Sequence, residues 1–320
     1  MNILSYTNGA WYDITAICGA PSWQSTIAEL AVTLSFEVAK SDAQYFGGVL
    51  PVCGDIIILK TNEDIFKGII ITCDDGDRKT NKYTVCDFGF YLNKSKETYQ
   101  FNNMRADKVI NKLCSDFNIA IDDICDIPYS VSKIYMDKTI SDIMRDVLEL
   151  ASASTGYAYN FDVTPKGLRV YRLGDLKAYP EFRISDNMPL IYSPDYKGSV
   201  SHSTSIEDMK NSVRIILGKE DIFVNLAIAK DNASIEKYGL LQEVEKIEDK
   251  ATISPKALAD RRLAELSKIK ETYNFEMIEA VDSYTRAGYE IEIEGKAYII
   301  ASAAHSIVNG VHKVKIEVRL

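Results

Sequence analysis

Apolar and polar positions alternate along the first third of the chain. Leu34, Phe36 and Val38 are separated by Ser35 and Glu37, a period of two that predicts a strand with one buried face. Pro51 and Gly54-Asp55 punctuate the pattern, and Ile56–Leu59 follows as a continuous apolar run. Thr61-Asn62-Glu63-Asp64 has turn composition. Phe66–Thr72 predicts the returning strand, and Asp74-Asp75-Gly76-Asp77 a second turn. In the next strand Tyr83, Val85 and Asp87 point one way, Thr84 and Cys86 the other. Consecutive strands joined by short polar turns make a meander.

The period then changes. Ala106, Val109, Ile110, Leu113, Cys114 and Phe117 recur at helical spacing and form one apolar stripe. A second helix is predicted from Thr139, whose hydroxyl can cap the free N–H groups of the first turn, with Asp142 favouring the positive helix end. Its stripe is Ile140, Ile143, Met144, Val147 and Ala151, and Gly156 is its expected left-handed stop. A hairpin follows: Tyr157–Val163, a turn at Pro165-Lys166-Gly167, then Leu168–Leu173.

The last block is β-rich with one inserted helix. Ser212–Leu217 and Phe223–Ala229 read as strands. Ser254-Pro255 predicts a helix start, with Ser as cap and Pro at the first helical position. Its inner stripe is Ala259, Leu263, Leu266 and Lys270. Tyr289–Ile293 turns at Glu294-Gly295 into Ala297–Ala301, and His305–Val308 turns at Asn309-Gly310 into Val311–Leu320. This block echoes the first. Gly54–Leu59 aligns with Gly288–Ile293, Phe66–Ile71 with Tyr298–Ala301, and Lys82–Val85 with Lys313–Ile316. Duplication of one meander would produce this, and so would any two unrelated three-stranded meanders.

Composition narrows the function classes. The 320 residues carry 37 Lys+Arg against 46 Asp+Glu, a net charge of −9. A dedicated nucleic-acid binder usually shows a basic balance instead. The apolar runs fall far short of the ~20 residues that cross a bilayer, and Met1–Asn8 lacks the basic-then-apolar order of a signal peptide. The six Cys (18, 53, 73, 86, 114 and 125) lie in the first 125 residues without C-x-x-C spacing. They read as buried, reduced thiols.

No motif for chemistry emerges. A calcium loop starting at Asp74 would need Glu where Val85 stands. Neither phosphate-binding glycine motif occurs. His202 lies among Ser199, Ser201, Ser203 and Ser205, in what reads as a polar loop without a nucleophile elbow. His305 and His312 flank the last hairpin and can face each other, but lack a third metal ligand. Arg261-Arg262 reads as a solvated helix face. Nothing singles out a carboxylate pair for glycoside hydrolysis. The expectation is no catalytic residue, no metal and no cofactor.

The order of several segments resembles the baseplate hub proteins of contractile phage tails and of phage-tail-like bacteriocins of Gram-positive bacteria. These segments are Asp13-Ile14-Thr15 to Ser22-Trp23-Gln24, Leu34-Ser35-Phe36, Gly54-Asp55-Ile56, Ile65–Ile70, Tyr91-Leu92-Asn93-Lys94-Ser95, Met209-Lys210-Asn211-Ser212-Val213 and Lys237-Tyr238-Gly239-Leu240-Leu241-Gln242. The resemblance implies an α+β, mostly β fold: two tube-like β-barrel domains, residues 1–100 and 186–320, flanking a small α+β insert, residues 101–185. The second barrel would carry the inserted helix at about residues 255–270. The resemblance implies a homotrimeric ring that adapts a sixfold tail tube to a threefold central spike, with no enzymatic activity. Implied partners are the tube protein, the spike protein, a LysM-type baseplate protein and the tape measure protein. DNA would pass only as cargo, and no stable membrane binding is implied. The implied location is the baseplate of a virion or phage-tail-like particle, assembled in the bacterial cytoplasm. The acidic balance would then suit a channel that does not hold passing DNA. The competing readings are a tail-associated cell-wall-degrading enzyme, a cell-wall-binding module, or a carbohydrate binder using Trp11 and Trp23.

Overall fold

The computed structural model describes residues 1–40, 49–75, 80–178, 181–182, 191–192, 200–219, 222–247, 254–278, 285–293, 296–308 and 310–319. The chain divides into two compact units. One comprises Met1–Val200 with Asn274–Val318; the other is Ser201–Tyr273 with the last two residues.

The first unit opens with seven strands: β1 (Asn2–Thr7), β2 (Ala10–Asp13), β3 (Ser22–Thr26), β4 (Thr33–Ala39), β5 (Ile56–Lys60), β6 (Asp64–Asp75) and β7 (Thr80–Asp87). All pair antiparallel, in the order β3-β4-β7-β6-β5-β1-β2. The predicted alternation holds in β4, where Leu34, Phe36 and Val38 are buried. These side chains join Ile57, Leu59, Phe66, Ile70, Tyr83 and Val85 in one core. Of the predicted second turn, Asp74 and Asp75 end β6, while Gly76 and Asp77 fall outside the described residues.

The α+β insert follows: α1 (Gly89–Lys94), β8 (Lys96–Arg105), α2 (Ala106–Asp116), β9 (Ile121–Ile124), β10 (Ser130–Thr139), α3 (Ile140–Thr155), β11 (Tyr159–Thr164) and β12 (Gly167–Arg172). Both predicted helices form with their predicted stripes buried, except Phe117, which caps the C-terminus of α2 and is only partly buried. The Thr139 hydroxyl accepts from the Asp142 N–H at 3.1 Å, and Gly156 closes α3 at φ +78°. The sequence pattern did not disclose α1, β8, β9 or β10. In β8 and β10 only every few residues are buried, and among the described residues each strand pairs with the other alone. A two-residue pair, β13 (Glu181–Phe182) with β14 (Ile191–Tyr192), ends this block.

The second unit holds β15 (Val200–Ser205), β16 (Ser212–Lys219), β17 (Ile222–Lys230), α4 (Asn232–Tyr238), β18 (Gln242–Ile247), α5 (Pro255–Leu266) and the start of β19 (Lys270–Ile278). Strand β16 is central, antiparallel to β17 and parallel to β18. Val213, Ile215, Ala229 and Ala259 of α5 form its small core. Two expectations need correction. Ser254 sits at the N-cap of α5, but its side chain makes no capping hydrogen bond. Lys270 lies in β19 rather than on the helix, with Nζ 3.3 Å from Asp208.

The first unit resumes with the rest of β19, then β20 (Glu290–Ile293), β21 (Lys296–Val308) and β22 (Val311–Arg319). The predicted strands Ala297–Ala301 and His305–Val308 are one strand, β21. Of the predicted turns, Glu294-Gly295 and Asn309 lie outside the described residues; Gly310 has φ +78°. β21 pairs with β20 through its first half and with β3 through its second, so the two ends of the chain share one sheet. The fold is mostly β, as expected, but the strand path is open: no closed barrel forms among the described residues. No described helix is long and apolar enough to cross a membrane.

The echo read in the sequence is present as backbone geometry. Gly54 N–H donates to Ile70 O (3.0 Å), Ile70 N–H to Asp55 O (2.9 Å) and Asp55 N–H to Val52 O (3.1 Å). Gly288 N–H donates to Ile300 O (2.8 Å), Ile300 N–H to Tyr289 O (2.9 Å) and Tyr289 N–H to Arg286 O (3.3 Å). The two glycines have φ +96° and +88°. These bonds match Ile70 to Ile300, so Gly68–Ile71, rather than Phe66 onward, aligns with Tyr298–Ala301.

The two glycines differ in surroundings. A Cβ on Gly54 meets nothing within 4 Å, whereas one on Gly288 falls 2.1 Å from Tyr171 Oη and 2.7 Å from Asn160 Nδ2. Gly54→Ala is expected to cost only the left-handed strain, about 1–2 kcal/mol. Gly288→Ala adds a steric clash and should cost clearly more in urea unfolding of the two variants.

Candidate functional site

The residues weighed for chemistry are mostly engaged in structure. His305 and His312 do meet, with Nδ1 of the first 3.0 Å from Nε2 of the second. His305 Nε2 lies 2.8 Å from the Thr285 carbonyl, which can only accept, so that nitrogen carries the proton. Both rings are buried, and His305 stacks on Trp23 at 4.7 Å. Together they form an aromatic core cluster. Trp23 is thereby withdrawn from any carbohydrate surface; Trp11 is exposed beside Tyr6.

His202 lies in strand β15, not in a loop. Strand alternation puts it on the face opposite Ser203, which removes the Ser/His dyad. Its ring stacks on Tyr273 at 4.3 Å, with Nε2 4.0 Å from Glu271. Ser199 lies outside the described residues. Arg261 pairs with Glu265 (3.0 Å), and Arg262 joins Glu265 to Glu245 of β18 at 3.1 and 3.0 Å, so this pair does more than face solvent. Cys86 and Cys114 are buried, Cys18, Cys73 and Cys125 partly so, but Cys53 is exposed, against expectation. Burial pushes the Cys18 and Cys114 thiols up to about 12, which leaves them poor nucleophiles. Among the described residues no three His, Cys, Asp or Glu side chains are placed to hold a metal ion. A groove of about 300 Å³ is lined by Lys67, Phe88, Tyr91, Phe117, Lys166 and neighbours, none of them a carboxylate, His or Cys.

Of the segments that carry the family resemblance, some are core strands, such as Leu34–Phe36 of β4 and Ile65–Ile70 of β6, and others build turns and caps. Asp13 accepts from the Thr15 N–H at 2.9 Å and from its hydroxyl, and the Thr15 hydroxyl accepts from the Ile3 N–H at 2.8 Å. Asp55 accepts from the Val52 N–H and the Thr7 hydroxyl, both at 2.8 Å. Leu92 of α1 is fully buried, and the Ser95 carbonyl receives the first N–H of α3 at 3.0 Å. Asn211 is fully buried and joins two segments that are far apart in sequence: its Nδ2 donates to Gly239 O at 2.7 Å, and its Oδ1 accepts from the Leu241 N–H at 2.8 Å.

The sequence reading missed a buried ionic cluster. Arg286 donates to the Val163 carbonyl at 2.7 Å and lies 3.7 Å from Asp87 and 3.4 Å from Asp162. Asp162 also takes both arms of Arg169, at 3.1 and 2.7 Å. The Asp87 carboxylate accepts from the Val32 and Gly89 N–H groups at 2.9 and 3.0 Å. Burial pushes the Asp87 carboxyl up to about 7, against the pull of Arg286 and the two amides. Asp87, Asp162 and Arg286 are at most 6% exposed. They sit where no substrate reaches, and they join β7, β11 and the segment before β20. From sequence only Asp87 was placed at all, on one strand face with Tyr83 and Val85, and that face is buried.

Comparison with known proteins follows these lines. The family described as YqbQ-like matches residues 21–319. The phage-like element PBSX protein XkdQ of Bacillus subtilis strain 168 is 30% identical over 223 residues, 68% of this chain and 65% of that protein. The match thus spans just under two thirds of that relative's length. The 43 kDa tail protein of prophage MuSo2 from Shewanella oneidensis has the same fold, with a TM-score of 0.67 at 14% identity over 99% of this chain and 97% of that one. The E. coli c3393 protein is a type VI secretion component described as structurally similar to the T4 tail proteins gp27 and gp5. It gives a TM-score of 0.52 at 9% identity, over 94% of this chain and 73% of that one.

Two outcomes are expected. Asn211→Ala removes both bonds from a fully buried side chain to the partly exposed 239–241 backbone, and should destabilise the second unit by about 1 kcal/mol; faster amide exchange at residues 237–242 would show it. Asp87 has its folded value raised above the ordinary 3.8. Its stabilising contribution is therefore full below that value and lost as pH rises through about 7. The melting temperature of the wild type should fall relative to Asp87→Asn between pH 5 and 8; a constant difference would refute the assignment.

Proposed function

The chain belongs to the YqbQ-like family, and from that premise we propose that it is the baseplate hub of a contractile tail or tail-like injection particle. One observation carries this reading. A single chain contains the same meander twice, down to three equivalent backbone hydrogen bonds around Gly54 and Gly288. Three chains in a ring present six such copies, which matches a sixfold tube, while the ring itself keeps the threefold symmetry of a spike. Cyclic head-to-tail contacts that close at three subunits give this arrangement.

The wider comparison supports the same reading. The fold is shared with a prophage tail protein and with a type VI component likened to gp27 and gp5. The role is structural: the segments that resemble the hub family make core strands, turns and caps. The proposed division is residues 1–100 and 186–320 as the two tube-like parts and residues 101–185 as the insert between them. The proposed partners are two further copies of this chain, the tube protein, the central spike protein and surrounding baseplate proteins, among them a LysM-type protein and the tape measure protein. The proposed location is the particle's baseplate, after assembly in the cytoplasm. With a net charge of −9 per chain, an acidic channel would repel DNA in transit.

Electron microscopy of the intact particle tests this. The expected density is a trimeric ring on the tail axis between tube and spike. A single copy away from the axis refutes the hub, and peptidoglycan clearing by the purified chain refutes the purely structural role.

A further inference from the structure

The internal repeat extends past the turns. In the first copy the strand order is β3-β4-β7-β6 with β5 beside β6; in the second it is β15-β19-β22-β21 with β20 beside β21. Leu34-Ser35-Phe36-Glu37-Val38 of β4 aligns with Tyr273-Asn274-Phe275-Glu276-Met277 of β19. Trp23 lies opposite Leu34, and His202 stacks on Tyr273 at 4.3 Å, so Trp23 and His202 hold equivalent places. Ser22-Trp23-Gln24-Ser25-Thr26-Ile27 then aligns with Ser201-His202-Ser203-Thr204-Ser205-Ile206.

One edge breaks the equivalence. Past its pairing with β20, β21 continues beside β3: Ala303 faces Ser25, Ala304 faces Gln24, and the Ile27 N–H donates to Ala301 O at 2.9 Å. The same half of β6 is Ile71–Asp75, by the match of Ile70 to Ile300. Strand β5 stops at Ile69 of β6, and among the described residues no strand lies beyond it on that edge. In the same way β3 uses both its edges, whereas β15 ends the strand path.

We propose that Ile71–Asp75 of β6 takes β15 of a second copy of this chain as its next strand, antiparallel, with Cys73 opposite Thr204. The intramolecular β21–β3 pairing is the template. It sets Ile71 O to receive the Ile206 N–H, and Asp74 opposite Ser203. Chemistry disfavours self-pairing of two β6 edges, since that would crowd the exposed Asp74 and Asp75 of both copies. The described residues of β15 carry no acidic side chain. Each chain then offers one acceptor edge and one donor strand, a head-to-tail contact; closure at three rests on the trimeric hub reading above.

Disulfide trapping tests the register. Asp74 and Ser203 fall at a non-hydrogen-bonded position, where Cα atoms lie ~4.5 Å apart, within disulfide reach. The full chain carries Asp74→Cys and Ser203→Cys, with Cys53→Ser and Cys73→Ser to remove nearby thiols, and is oxidised at tens of micromolar. Reducible covalent dimers and trimers are expected, absent from either single variant, with a covalent heterodimer when the two single variants are mixed. A trimer by native mass without a cross-link overturns the pairing and leaves the trimeric hub standing. A monomer without a cross-link, or a disulfide closed within one chain, overturns the pairing. Covalent assemblies of another order support the pairing and overturn threefold closure. Thr204→Pro removes only the N–H aimed at the neighbour, so an intact far-ultraviolet spectrum with loss of association is the matching second result.

Discussion

Arg286 is the charge around which the first unit is arranged. Taking a guanidinium out of water costs several kcal/mol, and an arrangement that fails to pair it is heavily penalised. Its partners come from separate stretches: Asp87 ends β7, Asp162 and the Val163 carbonyl belong to β11, and Arg286 itself precedes β20. Neither carboxylate depends on Arg286 alone. Asp87 is held by two backbone amides and Asp162 by Arg169. The cluster therefore specifies one relative placement of first block, insert and last block. An apolar contact of the same area would tolerate sliding; this one does not, because a shift strands a buried charge.

The elements legible from sequence are those whose burial follows one period. β4 shows every second residue inward, and α2 and α3 each carry an uninterrupted stripe, with Thr139 and Gly156 fixing the ends of α3 by local chemistry. β8 and β10 escaped because their pattern is mixed: Tyr99 and Phe101 are buried on one, Val131 and Tyr135 on the other, among mostly exposed neighbours. The division of β21 into two strands had a similar cause. Its run Ala301-Ser302-Ala303-Ala304 lacks large side chains, yet Ala301 and Ala303 are buried because β3 lies alongside.

The ionic cluster and the role of Asn211 were out of reach for a different reason. A lone Arg or Asn in a sequence carries no sign of burial, and its partners lie 28 to 199 residues away. The hub-like segments were visible as a pattern without a reason. The structure supplies it: Asp13, Asp55 and Asn211 spend their side chains on backbone groups that no strand or helix satisfies. Such positions admit few substitutes: the two carboxylates must each accept two bonds, and Asn211 must both donate and accept. The likeness of the two meanders, ambiguous as an alignment, has a counterpart in three equivalent backbone bonds.

The pairing of β3 with β21 joins residues 22–26 to residues 302–306. A contact of that sequence separation forms late and slowly. During synthesis, β3 keeps an unpaired edge until residues 302–306 have been made. A prematurely terminated chain keeps that edge exposed and lacks Arg286, so Asp87 is buried without its counter-charge. A chain stopped before Arg286 therefore carries an open strand edge and an unpaired buried carboxyl together, the combination that invites aggregation and proteolysis.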